Sequence, residues 1–243
     1  MSEVAKLKDV IKTAKKIVFF GGAGVSTSSG IPDFRGEKGL YAIRSEYGVS
    51  YETMLSHSYY VDYPETFFDF YKKKMLFPNA LPNKAHTCLV KLEEMGKDVS
   101  VVTQNIDGLH QLAGSKKVIE LHGSVLRNYC EKCHTFFDLD HIINSKAVPL
   151  CSKCGGRVKP DVVLYEEPLD SQSIQEAVEA IAKADLIIVG GTSLNVYPAA
   201  GLIRYRKQGS CLTIINYERT NYDSYADIVI HDDIGKTLEA AIE

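Results

Sequence analysis

Two pairs of cysteines have the spacing of metal ligands. Four of the six cysteines form two Cys-x-x-Cys pairs between residues 130 and 154, and two such pairs supply the four thiolates of a tetrahedral zinc site. Redox-active dithiols are the alternative, but two neighbouring pairs favour a metal. Because four protein ligands leave no open position, we expect a structural zinc ion; His134 is an inferior alternative ligand. The predicted ligands are Cys130, Cys133, Cys151 and Cys154.

A glycine-rich segment follows the first apolar run of the chain. Gly22 and Gly24 come directly after the apolar residues 17–20. Glycines after a buried strand let the backbone approach a pyrophosphate, and the N-terminus of a following helix favours its charge. The third glycine of the generic dinucleotide fingerprint would stand at Thr27, so a tight strand-to-helix turn explains the two glycines equally well. The sequence Ile-Pro-Asp-Phe-Arg at 31–35 is too specific for a turn and favours a binding site.

Polar residues also follow three later apolar runs, at 103–110, 190–198 and 216–218. The amides and the carboxylate of the first segment could bind a polar ligand, and the hydroxyls of the second suit a phosphate or a ribose. Capping and turn residues are the alternative in each case, since Asn, Asp, Ser and Thr supply both routinely.

One histidine stands in a context that suits acid–base chemistry. His122 precedes Gly123, and its near-neutral pKa suits a general base near pH 7. The alternative is a structural role, which is more common for an isolated histidine. Four other histidines have no supporting context, and we assign no role to His57, His86, His141 or His231.

Short apolar strands alternate with helical segments along most of the chain. Strands are predicted at 17–20, 99–103, 186–189 and 211–215, and helices at 4–15, 85–95 and 173–184. This alternation indicates an α/β fold with a doubly wound parallel sheet, whose ligands bind at the carboxyl ends of the strands. Residues 38–84 and 127–158 interrupt it. We interpret them as insertions that form a smaller domain beside a sheet domain of residues 1–37, 85–126 and 159–243.

Composition excludes several classes of protein. The 243 residues are 45% hydrophobic and 24% charged, as in an average globular domain, which excludes disorder as the main state. The net charge of −3 gives no basic field, so no direct nucleic acid partner is expected. No apolar run approaches the roughly 18 residues of a membrane span, and the N-terminus lacks an apolar signal core. We therefore expect a cytoplasmic protein without a membrane partner.

The motifs together resemble those of the sirtuin family, the NAD-dependent protein-lysine deacylases. They occur in the family's order over nearly the whole chain: residues 22–35, 103–110, His122-Gly123, the two cysteine pairs and Gly191-Thr192-Ser193. The compact length and the segments 91–94 and 114–120 are most similar to bacterial class U sirtuins.

The resemblance implies a Rossmann-like large domain and a small domain with a zinc ribbon and a helical part. NAD would lie in the cleft between them, and an acyl-lysine protein or peptide would enter from the other side. Asn105 and His122 would be catalytic, and Asp107 would accept a hydrogen bond from the nicotinamide carboxamide. The implied NAD site comprises Ala23, Thr27, Phe34, Arg35, Gln104, Asn105, Ile106, Asp107, His122, Thr192, Ser193, Asn216 and Ile234.

The implied reaction is NAD-dependent deacetylation of lysine. The acyl oxygen attacks C1′ of the nicotinamide ribose, nicotinamide leaves, and His122 acts as general base on a ribose hydroxyl. The products are deacylated lysine, nicotinamide and O-acetyl-ADP-ribose, and Phe34 would limit hydrolysis. Mono-ADP-ribosyl transfer and removal of longer acyl groups are alternatives, and His122 favours deacetylation. A zinc-ribbon binding module without catalysis would leave the NAD motifs unexplained, and a hydride-transfer dehydrogenase would release no nicotinamide.

Two segments depart from the family's pattern. Glu166 stands where the family often has a glycine beside the peptide groove, so it removes backbone freedom and adds charge there. Tyr71 and Lys74 resemble the Tyr-x-x-Arg of desuccinylating members, but a lysine cannot clamp a carboxylate through two parallel bonds. We therefore expect acetyl-lysine to be processed better than succinyl-lysine.

Overall fold

A six-stranded parallel sheet forms the centre of the larger part of the protein. The computed structural model describes residues 1–34 and 47–243. The strands lie in the order β3-β2-β1-β7-β8-β9. From β1 the chain adds strands first on one side of the sheet and then, from β7, on the other, so the strand order reverses between β1 and β7. Their bounds are β1 Lys16–Gly21, β2 Asp98–Thr103, β3 Val118–Glu120, β7 Leu186–Gly190, β8 Cys211–Ile215 and β9 Ile228–Ile230.

Helices cover both faces of this sheet. Alternate residues of each strand point to opposite faces, so Ile17 and Phe19 pack with the first, fifth and last helices, while Val18 and Phe20 pack with the eighth. The bounds are α1 Glu3–Thr13, α2 Tyr51–Met54, α3 His57–Asp62, α4 Pro64–Lys74, α5 Lys84–Glu94, α6 Leu109–Ala113, α7 Leu139–Asn144, α8 Ser171–Lys183 and α9 Ile234–Ile242.

A second, antiparallel sheet carries the cysteine pairs. It has the order β5-β4-β6, with β4 Gly123–Cys130, β5 Phe136–Phe137 and β6 Val158–Val162. Its buried side chains share one core with α2, α3 and α4, an aromatic cluster in which Tyr60, Phe67 and Tyr71 are fully buried. The ribbon and the helical segment therefore pack as one small unit, because neither has enough apolar surface to form a core alone.

The predicted elements agree with the structure where the sequence signal is long. The strands predicted at 17–20, 99–103, 186–189 and 211–215 are β1, β2, β7 and β8. The three-residue strands β3 and β9 and the helix α9 were not predicted, because so short a strand carries no periodicity of its own. Within the described residues, no helix is both long enough and apolar enough to cross a membrane.

Candidate active site

The loops after β1 and β7 touch at the point where the strand order reverses. The Gly22 N–H donates to the Gly190 carbonyl at 3.1 Å, and the Gly24 N–H donates to the Gly191 carbonyl at 2.9 Å. Gly191 has a φ of +61°, and a Cβ there would lie 2.4 Å from the backbone nitrogen of Val25. Only glycine therefore allows this approach. In doubly wound sheets such a reversal is where ligands bind.

The loop after β1 corrects one expectation. It continues as two short 3₁₀ helices, Ala23–Val25 and Thr27–Ser29, and the second ends at Gly30 with a φ of +84°. The predicted α-helix, whose N-terminus would face a pyrophosphate, is therefore absent from this described loop. At Gly24 the backbone lies against the neighbouring loop of β7, where an added Cβ would come 2.8 Å from the Gly191 Cα.

One cleft of about 1160 Å³ opens beside this contact. It is lined by every predicted NAD-site residue in the described part of the chain, although these residues come from six separate segments. Arg35 was also predicted, but it lies outside the described residues. The lining includes Ala23, Thr27, Phe34, Gln104, Asn105, Ile106, Asp107, His122, Thr192, Ser193, Asn216 and Ile234.

A polar network joins the loops after β1 and β2 at the floor of the cleft. The Asn105 Nδ2 donates to Ser26 Oγ at 3.1 Å, and Ser26 Oγ donates to Asp107 Oδ2 at 2.6 Å. The other oxygen, Asp107 Oδ1, accepts from the Leu109 N–H at 2.9 Å. The amide and the carboxylate are thus held in fixed orientations. Ser26, which is 1% exposed, was not predicted as a site residue, because nothing in the sequence distinguishes it from its neighbouring hydroxyl residues.

His122 lies in the two-residue connection between β3 and β4. Its Nδ1 is 2.9 Å from the Gln104 carbonyl oxygen, which can only accept, so Nδ1 carries the hydrogen. The neutral ring then keeps its lone pair on Nε2. Burial lowers the pKa of His122, while the bond to Gln104 opposes that shift. The imidazole is therefore neutral at pH 7 and able to accept a proton.

The cleft is also lined by the loops after β7 and β8 and by the start of α9. The Gln104 Nε2 donates to Thr192 Oγ1 at 3.1 Å, so the loops after β2 and β7 are joined. Asn216 is held by its N–H, which donates to the Ile230 carbonyl at 3.1 Å. Ile234, the first residue of α9, also lines the cleft.

The segment after β6 lines the cleft as well. It pairs with the start of α3, because the His57 N–H donates to the Tyr165 carbonyl and the Tyr165 N–H donates to the Leu55 carbonyl, both at 3.0 Å. Glu166 has a φ of +74°, a backbone conformation that residues other than glycine rarely adopt. Its carboxylate accepts from the N–H and the hydroxyl of Ser58, at 2.9 and 3.0 Å, which holds this residue in place.

The residues compared with a desuccinylase motif separate in the structure. Lys74 lines the cleft. Tyr71 is 0% exposed and stacks on Phe67 within the aromatic core of the small unit, with ring centroids 5.6 Å apart. Tyr71 is therefore not among the described residues that line the cleft, and only Lys74 of the two is. Its position in α4 is one turn from Lys74, but the side chain belongs to the buried face of that helix.

The four paired cysteines meet at one point of the ribbon. Their sulfur atoms all lie within 4.8 Å of one another, and the close pairs are 3.3 to 3.6 Å apart. Tetrahedral ligands at a Zn–S distance of about 2.3 Å would be roughly 3.8 Å apart, so small adjustments of the sulfurs, with the close pairs moving slightly apart, would accommodate zinc. Among the described residues the cluster includes no histidine, and His134 lies outside it. The donor set fits zinc.

A parallel sheet whose strand order reverses, loops that touch at glycines, a mainly apolar cleft with a polar network, and a four-cysteine ribbon define a dinucleotide-binding α/β protein with a zinc-binding module. Comparison with known proteins gives the family. The family model described as "Sir2 family" matches residues 22–198. The chain therefore belongs to the Sir2 family, the sirtuins, as the motifs predicted.

Individual relatives are similar over their whole length. An "NAD-dependent protein deacetylase" of Clostridium perfringens (strain 13 / Type A) is 60% identical over 241 residues, covering 99% of each chain. A Sir2 variant with deacetylated p53 peptide and 3′-O-acetyl ADP ribose has a TM-score of 0.89 and 38% identity, covering 100% of this chain and 98% of that one. The structure "Sir2-p53 peptide-NAD+" has a TM-score of 0.83 and 39% identity, covering 96% and 95%.

Proposed function

We propose that this protein is an NAD-dependent protein-lysine deacetylase that produces deacetylated lysine, nicotinamide and O-acetyl-ADP-ribose. The observation that carries the proposal is the position of His122 in the same cleft as the Asn105–Ser26–Asp107 network, with Nδ1 held by a carbonyl. The relatives named above support the same reaction, since one is called an NAD-dependent protein deacetylase and another contains an acetylated ADP ribose.

NAD is assigned to the part of the cleft between the loops after β1, β2 and β7. The loops around Gly22 and Gly191 touch backbone to backbone with no side chain between them, which would let a pyrophosphate approach the main chain closely. Thr192, Ser193 and Asn216 would hold the adenosine half. Asp107 would accept from the nicotinamide carboxamide, in an orientation already set by Ser26 and the Leu109 N–H.

The chain contributes positioning and one proton transfer. Apolar groups at Phe34, Ile106, Val162 and Val163 line the cleft and would exclude water from the reacting ribose carbon, which favours the acyl oxygen as nucleophile. His122 Nε2 would accept the proton of a ribose hydroxyl. The Gln104 carbonyl would stabilise the imidazolium through the Nδ1–H bond, in the way that an orienting acceptor serves a general base.

Zinc would be held by Cys130, Cys133, Cys151 and Cys154, and it would supply folding energy to the ribbon when bound. These cysteines are absent from the described lining of the cleft, so no catalytic step is assigned to them. We also propose the division into a large domain of residues 1–37, 85–126 and 159–243 and a small domain of 38–84 and 127–158. The buried clusters support it except at the ribbon boundaries, where Val125, Val162 and Leu164 pack with the small unit. Membership of class U and a cytoplasmic location stay predictions.

The test is incubation with NAD and an acetyl-lysine peptide, followed by mass spectrometry. We expect the deacetylated peptide, free nicotinamide and O-acetyl-ADP-ribose in equal amounts. His122→Ala should retain NAD binding and lose about 10²- to 10⁴-fold of the turnover. His141→Ala, which changes a ribbon histidine outside the described cleft lining, is the matched control. ADP-ribosylated peptide or NADH absorbance in place of these products would contradict the proposal.

A further inference from the structure

Strand β4 contains a bulge immediately after the His122 turn. Ser124 lies opposite Asp161 of β6, and the next paired residue, Asn128, lies opposite Pro160. Residues 125–127 therefore have no partner on β6, although Asp161 and Pro160 are adjacent. Bulges next to functional sites commonly redirect a side chain.

Arg127 leaves this bulge and binds two carboxylates on different sheets. Its Nε donates to Asp161 Oδ2 at 2.8 Å, and its Nη1 donates to Glu120 Oε2 at 2.7 Å. Glu120 is the last residue of β3 in the large sheet, and its other oxygen accepts from Gln111 Nε2 at 2.7 Å. One guanidinium thus joins the end of the large sheet to the ribbon.

His122 lies between the two anchor points of this bridge. On the large-sheet side, the Leu121 N–H donates to the Thr103 carbonyl at 2.9 Å. On the ribbon side, the Val163 N–H donates to the His122 carbonyl at 3.0 Å. The orientation of the imidazole therefore depends on the angle at which β3 and β4 meet.

The same bulge also holds the loop that lines the nicotinamide end of the cleft. The Val125 N–H donates to the Ile106 carbonyl at 3.0 Å. A shift of the bulge would therefore move Ile106 and His122 together.

The junction between β3 and β4 contains two carboxylates, and it is therefore sensitive to the loss of the Arg127 guanidinium. The Glu120 side chain is 10% exposed, whereas that of Asp161 is 43% exposed. Without Arg127, two carboxylates would face each other and one of them would be largely desolvated. Removing one partner of such a pair is costly because a buried charge is left uncompensated. The least costly response is for the two strands to separate, which would turn His122 away from its place.

We propose that Arg127 is a positioning residue for His122, which sets the angle between the large sheet and the zinc ribbon by binding Glu120 and Asp161 together. Arg127 is not among the described residues that line the cleft, so it acts through the turn and not on substrate. The inference rests on the proposed function, because the role of His122 defines what is being positioned.

The experiment separates the proton-transfer step from the step before it. Nicotinamide release and its reversal do not need the base, so exchange of labelled nicotinamide into NAD, with acetyl-lysine peptide present, reports the first step alone. Arg127→Met keeps the apolar stem and removes the guanidinium. We expect about 10- to 100-fold lower kcat for deacetylation, KM values for NAD and peptide within about twofold, and exchange within about threefold of the wild type.

Two further variants keep the test decisive. The double variant Arg127→Met with Asp161→Asn lacks the repulsion between the carboxylates of Glu120 and Asp161. It should recover about a third or more of the decrease in log kcat that Arg127→Met causes. Arg206→Met is the matched control, because Arg206 binds Asp227 at 3.0 Å in the large sheet, away from the described cleft lining. If Arg127→Met fails to fold, as judged by circular dichroism and zinc content, Arg127→Lys takes its place, since it keeps one charge without the fork.

The outcomes distinguish the inference from the proposed function. Equal losses of exchange and deacetylation, or normal deacetylation in Arg127→Met, would overturn the positioning role. A wild-type protein that performs neither reaction with NAD and acetyl-lysine peptide would overturn the proposed function, whatever the Arg127 variants do.

Discussion

A pair of buried histidines should make the protein unstable in mild acid. His86 is 0% exposed and His110 is 1% exposed, and their rings lie 4.7 Å apart between centroids. His86 Nδ1 accepts from the Asn83 N–H at the start of α5, so the ring must be neutral for this cap to exist. Burial lowers the pKa of His86 to about 4 and, with the neighbouring His86 as a second cause, that of His110 to about 3.

The size of the effect follows from proton linkage. Below about pH 6.5 the unfolded chain protonates both histidines, whereas the native protein binds neither proton until it approaches the lowered pKa values. The unfolded state therefore binds more protons, and the free energy of unfolding falls as the pH falls. Between pH 7.5 and 5.5 each histidine contributes a loss of about 1.4 kcal/mol, and the two together about 2.7 kcal/mol.

Urea unfolding at pH 7.5 and 5.5 measures this difference. Zinc thiolates also weaken in acid, so the comparison of variants is what isolates the histidines. His110→Phe keeps an aromatic ring beside Phe19 and removes one titrating group, so the loss between the two pH values should shrink by about 1.4 kcal/mol. His231→Gln, on the surface, should change it by less than about 0.5 kcal/mol. If the His110→Phe protein loses as much unfolding free energy between pH 7.5 and 5.5 as the wild type, the two histidines are not both buried and neutral.

Four other outcomes are expected. Because burial lowers the pKa of His122 and the base must be neutral, kcat should fall with acid only at pH values below its ordinary 6.5; a half-maximal pH above that value would contradict the assignment. Metal analysis of reduced protein should find one zinc per chain, and Cys151→Ser should lower both zinc content and unfolding free energy; a zinc-free wild type would be the contrary result. Glu166→Gln should weaken the binding of peptides with lysine or arginine beside the acyl-lysine by about two- to fivefold and spare uncharged peptides, as compared by KM. Acetyl-lysine should be processed better than succinyl-lysine, because Lys74 lacks a fixed fork; a succinyl preference abolished by Lys74→Met would reverse this view.

The sequence alone was sufficient to predict the family and the class of fold, and the residues that it proposed for an NAD site line one cleft. Each NAD-site motif follows an apolar run, and carboxyl ends of parallel strands share one edge of a sheet. Residues as distant as Thr27, Gln104 and Thr192 could therefore be assigned to one site before any contact was known. The cysteine spacing was equally informative, because two ligands three residues apart already define half of a tetrahedron.

The tertiary structure decided how those motifs meet. The loops at Gly24 and Gly191 touch because β1 and β7 are neighbours, and the strand order that makes them so depends on pairing between segments more than 160 residues apart, which no local pattern encodes. The structure also shows two 3₁₀ helices after β1 where a following α-helix was expected. Local patterning also could not show that Tyr71 turns into the aromatic core while Lys74, three residues later, reaches the cleft.

Long-range charge pairing was likewise invisible in the sequence. In the sequence, Arg127 is a polar residue with no distinguishing neighbours. Nothing around it predicts the bulge in β4 or an ion-pair bridge from Glu120 to Asp161. The reason is physical: apolar periodicity reports which face of an element is buried, but the partner of a charged side chain depends on which elements the fold brings together. The sequence determined the chemical groups of this protein, and the connection between β3 of the large sheet and β4 of the ribbon determined where His122 lies relative to them.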